Sequence, residues 1–158
     1  MNKEKQPKLY VLVGVPGSGK STWIENQPWA KDYVIVSTDH WVEREAKNRG
    51  LTYTDVFEEY MPTAVKLMAQ EVEICWEENR NVIWDQTSTT IASRKKKIRM
   101  LSNHCKIAVV FRTPAMAELM NRLNNRPGKV VPHDVVVKMI KEWEEPTKEE
   151  GFDQIWYA

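Results

Sequence analysis

From Gly14 to Ser21 the chain reads Gly-x-x-x-x-Gly-Lys-Ser. This is the spacing of a loop that wraps a chain of phosphates. Glycines let the backbone close around an anion so that successive N–H groups point inward. A helix beginning at the end of the loop adds the partial positive charge of its N-terminus. The candidate phosphate-binding set is Gly14, Pro16, Gly17, Ser18, Gly19, Lys20, Ser21 and Thr22. In a phosphoryl-transfer site of this kind, the lysine reaches the β- and γ-phosphates and the hydroxyl after it ligates Mg²⁺. Those positions are Lys20 and Ser21, and the ligands they call for are ATP and Mg²⁺.

Two carboxylates stand in comparable places. Asp39 follows the apolar run Tyr33-Val34-Ile35-Val36 and opens a helix, where it can take the proton of an attacking hydroxyl or simply cap the helix. Asp85 follows Val82-Ile83-Trp84, where it can organise a metal, orient a substrate or shape a turn. Thr87 shares that polar strand end. Arg122 and Arg126 precede a loop with Pro127, Gly128 and Pro132, the composition of a mobile lid whose arginines close over ATP. Trp41 lies two residues beyond Asp39 and is a candidate for stacking on a base. Arg94 begins the run Arg94-Lys95-Lys96-Lys97-Ile98-Arg99. On a helix these charges cannot all face one way, so some contact a phosphate backbone and the rest are solvated.

These groups need elements to position them. Strands are expected at 8–13, 33–36, 81–85, 106–111 and 153–157. Helices are expected at 21–27, 40–48, 55–79, 93–102, 114–123 and 134–143. Pro62 is expected to mark a new helix start. Val65, Met68, Val72 and Cys75/Trp76 recur at helical spacing and are expected to be buried. Trp84 is expected in the core. Strands alternating with helices imply an α/β fold with a parallel sheet of about five strands, flanked by helices. Ligands of such sheets sit at the carboxyl ends of the strands. The first three strands end in the glycine loop, Ser37-Thr38-Asp39 and Asp85-Gln86-Thr87.

The 158 residues suffice for one domain, expected to span 1–158. No apolar run approaches membrane-spanning length, and the polar stretch 1–8 is no secretion signal, so a cytoplasmic protein without membrane partners is expected. Cys75 and Cys105 are read as reduced thiols. His40, His104 and His133 have no metal-ligand spacing. Net charge is +1, yet residues 80–130 carry 11 basic and 2 acidic side chains. A positive field so concentrated suits a phosphate-rich ligand.

Taken in order, four stretches resemble the kinase domain of the polynucleotide 5′-hydroxyl kinases of bacteriophages and animals. They are Val15 through Trp23; Val36-Ser37-Thr38-Asp39-His40-Trp41; Asp85-Gln86-Thr87 with Ala92-Ser93-Arg94; and Arg122 through Arg126 to Val135. The resemblance implies a P-loop kinase fold with a short lid after strand four. It implies Asp39 as general base, Lys20 and Ser21 on ATP and Mg²⁺, Asp85 placing the 5′-terminal nucleotide, and Arg126 on the ATP phosphates. The family's phosphatase chemistry needs an Asp-x-Asp motif, which this sequence lacks. The phage enzymes carry an arginine three residues after the base to hold a substrate phosphate. Val42 stands there, so that contact is missing or comes from Arg44 or Arg94. Gln86 and Ser88 also depart from the family pattern. The expected activity is transfer of the γ-phosphate of ATP to a 5′-hydroxyl end of DNA or RNA. The alternatives are a kinase for a nucleoside, sugar or other metabolite, or a non-catalytic ATP-binding module.

Overall fold

The computed structural model describes residues 5–158; the first four residues of the polar N-terminal stretch lie outside the described residues. The strands are β1 (Lys8–Val13), β2 (Val34–Val36), β3 (Val82–Trp84), β4 (Cys105–Val110) and β5 (Gln154–Tyr157). The helices are α1 (Lys20–Glu25), α2 (Asp39–Arg49), α3 (Tyr53–Glu77), α4 (Ile91–Met100), α5 (Met116–Asn124) and α6 (His133–Lys141). Short 3₁₀ turns occupy Pro28–Asp32 and Lys148–Glu150. All five strands are parallel, in the order β2-β3-β1-β4-β5.

Strand composition explains the order. β4 is buried along its whole length and β1 at every residue after Lys8. Continuous apolar strands of this kind belong at the centre of a parallel sheet, covered on both faces. One face packs Leu9, Val11, Val13, Trp84 and Val110 against Val72 and Cys75 of α3 and Leu101. The other packs Tyr10, Leu12, Val109 and Phe111 against Trp23, Trp29 and Tyr33. Tyr10 stacks on Trp29 with ring centres 4.8 Å apart. Trp84 is 2% exposed. Among the described residues, no helix is long and apolar enough to cross a membrane.

Two expectations are corrected along α3. The helix runs unbroken through Pro62. A proline removes one backbone donor and strands the carbonyl four residues back. Here Pro62 and Glu58 are both exposed, so water can satisfy that carbonyl. The buried stripe is Ala64, Met68, Val72 and Cys75, while Val65 and Trp76 are 42% and 47% exposed. Met68, Val72 and Cys75 lie on the expected face, and the helix also packs Val56 and Ala64 against Val42 and Ala46 of α2.

Candidate phosphate-transfer site

Parallel strands deliver their carboxyl ends to one edge, and hydrogen bonds fix those ends together. The Gly14 N–H donates to the Thr87 carbonyl at 2.9 Å, and the Asp85 N–H donates to the Val36 carbonyl at 2.8 Å. Trp84 Nε1 donates to Gln86 Oε1 at 3.0 Å, and Gln86 Nε2 donates to Thr38 Oγ1 at 3.2 Å. Gln86, a departure from the expected pattern, therefore cross-links two strand ends.

The glycine loop sits above β1. Gly19 caps α1 with φ 106°, a conformation that glycine adopts without strain, and α1 has no side-chain cap. Its first backbone donors therefore face the loop interior or solvent. Lys20 Nζ folds back onto the loop, donating to the carbonyls of Gly14 at 2.7 Å and Val15 at 3.0 Å. Burial pushes this ammonium down to about 8, against the opposing pull of Asp85 and Asp39. The Ser18 hydroxyl oxygen is buried with no hydrogen-bond partner. Ser21 and Thr22 are exposed on the first turn of α1. An under-used lysine, an orphan hydroxyl and an uncapped helix end fit an incoming phosphate chain.

Asp39 opens α2, but the N-cap is Thr38, and the Asp39 carboxylate does not cap the helix. Its Oδ1 accepts from the Tyr53 hydroxyl at 2.7 Å, and its Oδ2 accepts from Lys129 Nζ at 3.0 Å. Asp39 and Asp85 both act on the charge of Lys20, so the two carboxylates and the loop lysine share one field. Burial raises the Asp85 carboxyl, and Lys20 is the main influence that opposes it. Arg126 and Lys129 both depress the Lys20 ammonium from the lid side. Arg122 donates to the Gly17 carbonyl at 3.0 Å and to Glu118 at 2.6 Å, which sets it beside the loop.

One expected substrate contact is buried, and another lines a separate groove. Arg94 is 0% exposed. Its guanidinium binds Glu150 through two bonds, of 2.8 and 3.2 Å, and the Ser88 carbonyl at 2.9 Å. It holds α4 to the Lys148–Glu150 turn and has no face toward a ligand. Trp41 lies two residues beyond Asp39, about 200° around the helix. It faces a groove of about 330 Å³ lined by Val34, Leu67, Ile74 and Cys75, on the α3 side and not beside the Asp39 carboxylate. Val42 is fully buried. Arg44 lies over the Trp41 ring at 5.7 Å. Thr87 keeps its expected place at the end of β3, through its carbonyl bond to the loop.

Three residues of the site escape sequence reasoning. Lys129 stands in the basic lid stretch, the one signal that pointed to it. Tyr53 gives no signal. Ser88 has a positive φ of 47° and a buried hydroxyl oxygen without a partner, a strained turn that no local pattern announces.

A five-stranded parallel sheet with a phosphate loop after β1 and carboxylates after β2 and β3 defines a P-loop protein of kinase-like phosphotransferase architecture. A family model described as an AAA domain matches residues 9–146, and the chain belongs to that family. It is similar to a chain of the Pnkp1/Rnl/Hen1 RNA repair complex at 26% identity and TM-score 0.67, over 89% of this chain and 45% of that one. A chain from the PezAT toxin–antitoxin system of Streptococcus pneumoniae matches at 22% identity and TM-score 0.56, over 67% of this chain and 47% of that one. The chain thus spans about half the length of these two proteins. A gluconokinase from Sinorhizobium meliloti shares the fold at 18% identity and TM-score 0.56, over 96% of this chain and 82% of that one.

Proposed function

We propose that the protein is an ATP-dependent polynucleotide kinase that phosphorylates the 5′-hydroxyl ends of DNA or RNA, an end-repair activity. The observation that carries this is that Lys20 on the phosphate loop shares one electrostatic field with Asp85, at the end of the adjacent β3, and with Asp39, at the end of β2 beyond it. The likeness to a chain of an RNA repair complex supports a polynucleotide as acceptor.

Lys20 exchanges the Gly14 and Val15 carbonyls for phosphate oxygens. Ser18 and the α1 backbone donors complete the cradle. Among the described residues, no cluster of three or more His, Cys, Asp or Glu could hold a metal alone. Mg²⁺ is commonly held by few protein oxygens together with nucleotide phosphates and water, and Ser21 would be the protein ligand here. When bound, the ion would supply charge neutralisation at the transferring phosphate. Asp39 Oδ2 takes the proton of the acceptor hydroxyl. Asp85 orients the acceptor, and Arg122 and Arg126 bring positive charge from the lid side. Positioning and electrostatics supply nearly all the catalysis in this reaction class.

A second reading is a small-molecule kinase. The burial of Arg94 and the presence of an apolar valine at position 42 favour it, since neither side chain can hold a substrate phosphate. Transfer of labelled γ-phosphate from ATP–Mg²⁺ to a short 5′-hydroxyl oligonucleotide tests the proposal, with a 5′-blocked oligonucleotide and a free nucleoside alongside. Label confined to the free 5′-hydroxyl oligonucleotide supports it. Label on the nucleoside alone replaces it with the second reading. Bound ATP with no transfer to either acceptor removes the proposal and leaves a kinase for another small molecule or a non-catalytic ATP-binding module.

A further inference from the structure

The connection between α5 and α6, residues 125–132, is fastened to the start of α3. The Thr54 N–H donates to the Gly128 carbonyl at 3.1 Å, and the Val130 N–H donates to Thr54 Oγ1 at 3.0 Å. Gly128 has φ 69°, and a Cβ there would stand 3.1 Å from the Thr52 Cβ. Between these anchors, Lys129 reaches across the site. Its ammonium lies 3.0 Å from Asp39 Oδ2, 3.6 Å from Glu43 Oε1 and 4.4 Å from the centre of the Tyr53 ring. The Tyr53 hydroxyl holds Asp39 Oδ1. Both oxygens of the proposed base are therefore engaged, and Oδ2 is covered by a cation from the lid.

A carboxylate so paired is a weaker base toward an acceptor hydroxyl until the cation moves, since the ammonium favours its charged form. Lys129 is well placed to move. It also acts on Lys20 and Asp85, so it lies within range of the phosphate loop as well as the base. Asp39 is 49% exposed, and a half-exposed ion pair is weakly held. A terminal phosphate offers three oxygens and more charge than one carboxylate, and an ammonium on a flexible stem can follow it.

Resting on the kinase reading, we propose that Lys129 is an exchangeable counter-ion that covers Asp39 in the free protein and passes to the γ-phosphate of bound ATP. Nucleotide binding then uncovers the base. Tyr53 stays on Oδ1 and keeps the carboxylate oriented, as a positioning residue. In the transfer step the acceptor O–H bond breaks, and its proton goes to Asp39 Oδ2. The acceptor oxygen forms its bond to the γ-phosphorus, the bond from that phosphorus to the β,γ-bridging oxygen breaks, and ADP leaves. Nucleotide binding thereby precedes productive seating of the acceptor.

The test is a double-mutant cycle in binding, which needs no turnover. Affinity for the non-hydrolysable β,γ-methylene-ATP with Mg²⁺ is measured by calorimetry for the full chain and for Asp39→Asn, Lys129→Ala and the double variant. Asp39→Asn removes the competitor for Lys129 and should tighten the analogue by about fivefold. In the Lys129→Ala background the same change should leave affinity unaltered. With ADP in place of the analogue, neither background should respond. Lys129→Arg should keep the coupling, and it serves as the second variant if Lys129→Ala melts early. Tightening that persists without Lys129, or that appears equally with ADP, overturns the proposal and reduces Asp39 to a general repulsion. Analogue binding with intact coupling but no phosphoryl transfer would instead remove the kinase reading and leave the exchange standing.

Discussion

Two carboxylate–cation pairs flank the strand ends, alike in chemistry and opposite in setting. Arg94 and Glu150 are 0% and 6% exposed, joined by a forked pair of bonds, with the remaining arm of the guanidinium on a backbone carbonyl. Lys129 and Asp39 are 19% and 49% exposed and joined by a single bond. The first pair has no face open to solvent or a ligand, so it can only hold α4 and the Lys148–Glu150 turn together. The second pair keeps exposed oxygens and spare donors. Position beside a polar strand end does not separate the two. Burial and unspent hydrogen-bonding capacity do.

Exchanging the roles of the pairs by mutation is the strongest way to break this contrast. Asp39→Asn should lower phosphoryl transfer by about 10²- to 10⁴-fold, the usual contribution of a positioned base. Its urea midpoint should stay near the parent's, because a half-exposed pair contributes only about 0–1 kcal/mol. Arg94→Met should do the reverse. It strands Glu150 in the interior, at about 3–5 kcal/mol of stability. Adding Glu150→Met should recover most of that loss, since the uncompensated charge is what costs, and the double variant should still transfer phosphate. An unstable Asp39→Asn, or an Arg94→Met that melts normally and loses only oligonucleotide binding, would invert the assignment.

The same contrast explains what the sequence made legible. The phosphate loop is contiguous, and the order strand, glycines, lysine, helix is local information. The strand ends carrying Asp39 and Asp85 follow from apolar runs and from the parallel topology. Pairings between distant segments were not legible. Arg94 meets Glu150 across 56 positions, and Lys129 meets Asp39 across 90. Helical periodicity distributes charges around α4 but does not say which face meets the C-terminal turn, so a buried ion pair and a substrate contact read alike. On α3 the period and the positions Met68, Val72 and Cys75 were legible, and the edges of the stripe at Val65 and Trp76 were not. Ala64 rather than Val65 is buried at the contact with α2, to which nothing within α3 itself points.

A second buried cation, Lys97, sharpens the comparison because among the described residues no carboxylate bonds to it. Lys97 is 7% exposed, its ammonium 3.3 Å from the Ser93 carbonyl and 5.6 Å from the centre of the Trp84 ring. Burial pushes it down to about 8, with Lys96 and Arg94 adding to the shift. A folded-state value below the unfolded one means that the unfolded chain holds the proton more tightly. Folding is therefore penalised while both states are protonated, and stability rises as pH climbs from about 8 toward the unfolded value of 10.5. Lys20 contributes with the same sign. Lys97→Met should stabilise the protein by about 1–3 kcal/mol at neutral pH and flatten that rise. Urea unfolding at pH 7 and pH 9.5 measures both. A destabilised variant, or one whose pH slope matches the parent's, would mean that the Trp84 face and the Ser93 carbonyl already compensate the charge.

The smallest effect separates the lid from the scaffold. Gly50 ends α2 at φ 68°, and Gly128 sits in the lid at φ 69°. An alanine at either position must adopt a left-handed conformation, at about 1 kcal/mol. At Gly50 an added Cβ meets nothing within 4 Å, so the backbone conformation is the whole cost. At Gly128 the same Cβ presses on Thr52, beside the two hydrogen bonds that fasten the loop carrying Lys129. Gly50→Ala should therefore lower the unfolding free energy by about 1 kcal/mol and leave phosphoryl transfer unchanged. Gly128→Ala should cost a similar amount of stability and also raise the KM for ATP, because the displaced loop carries Lys129 and adjoins Arg126. Equal kinetics for the two alanine variants would detach the lid anchor from the site and leave the Asp39–Lys129 contact without a functional consequence.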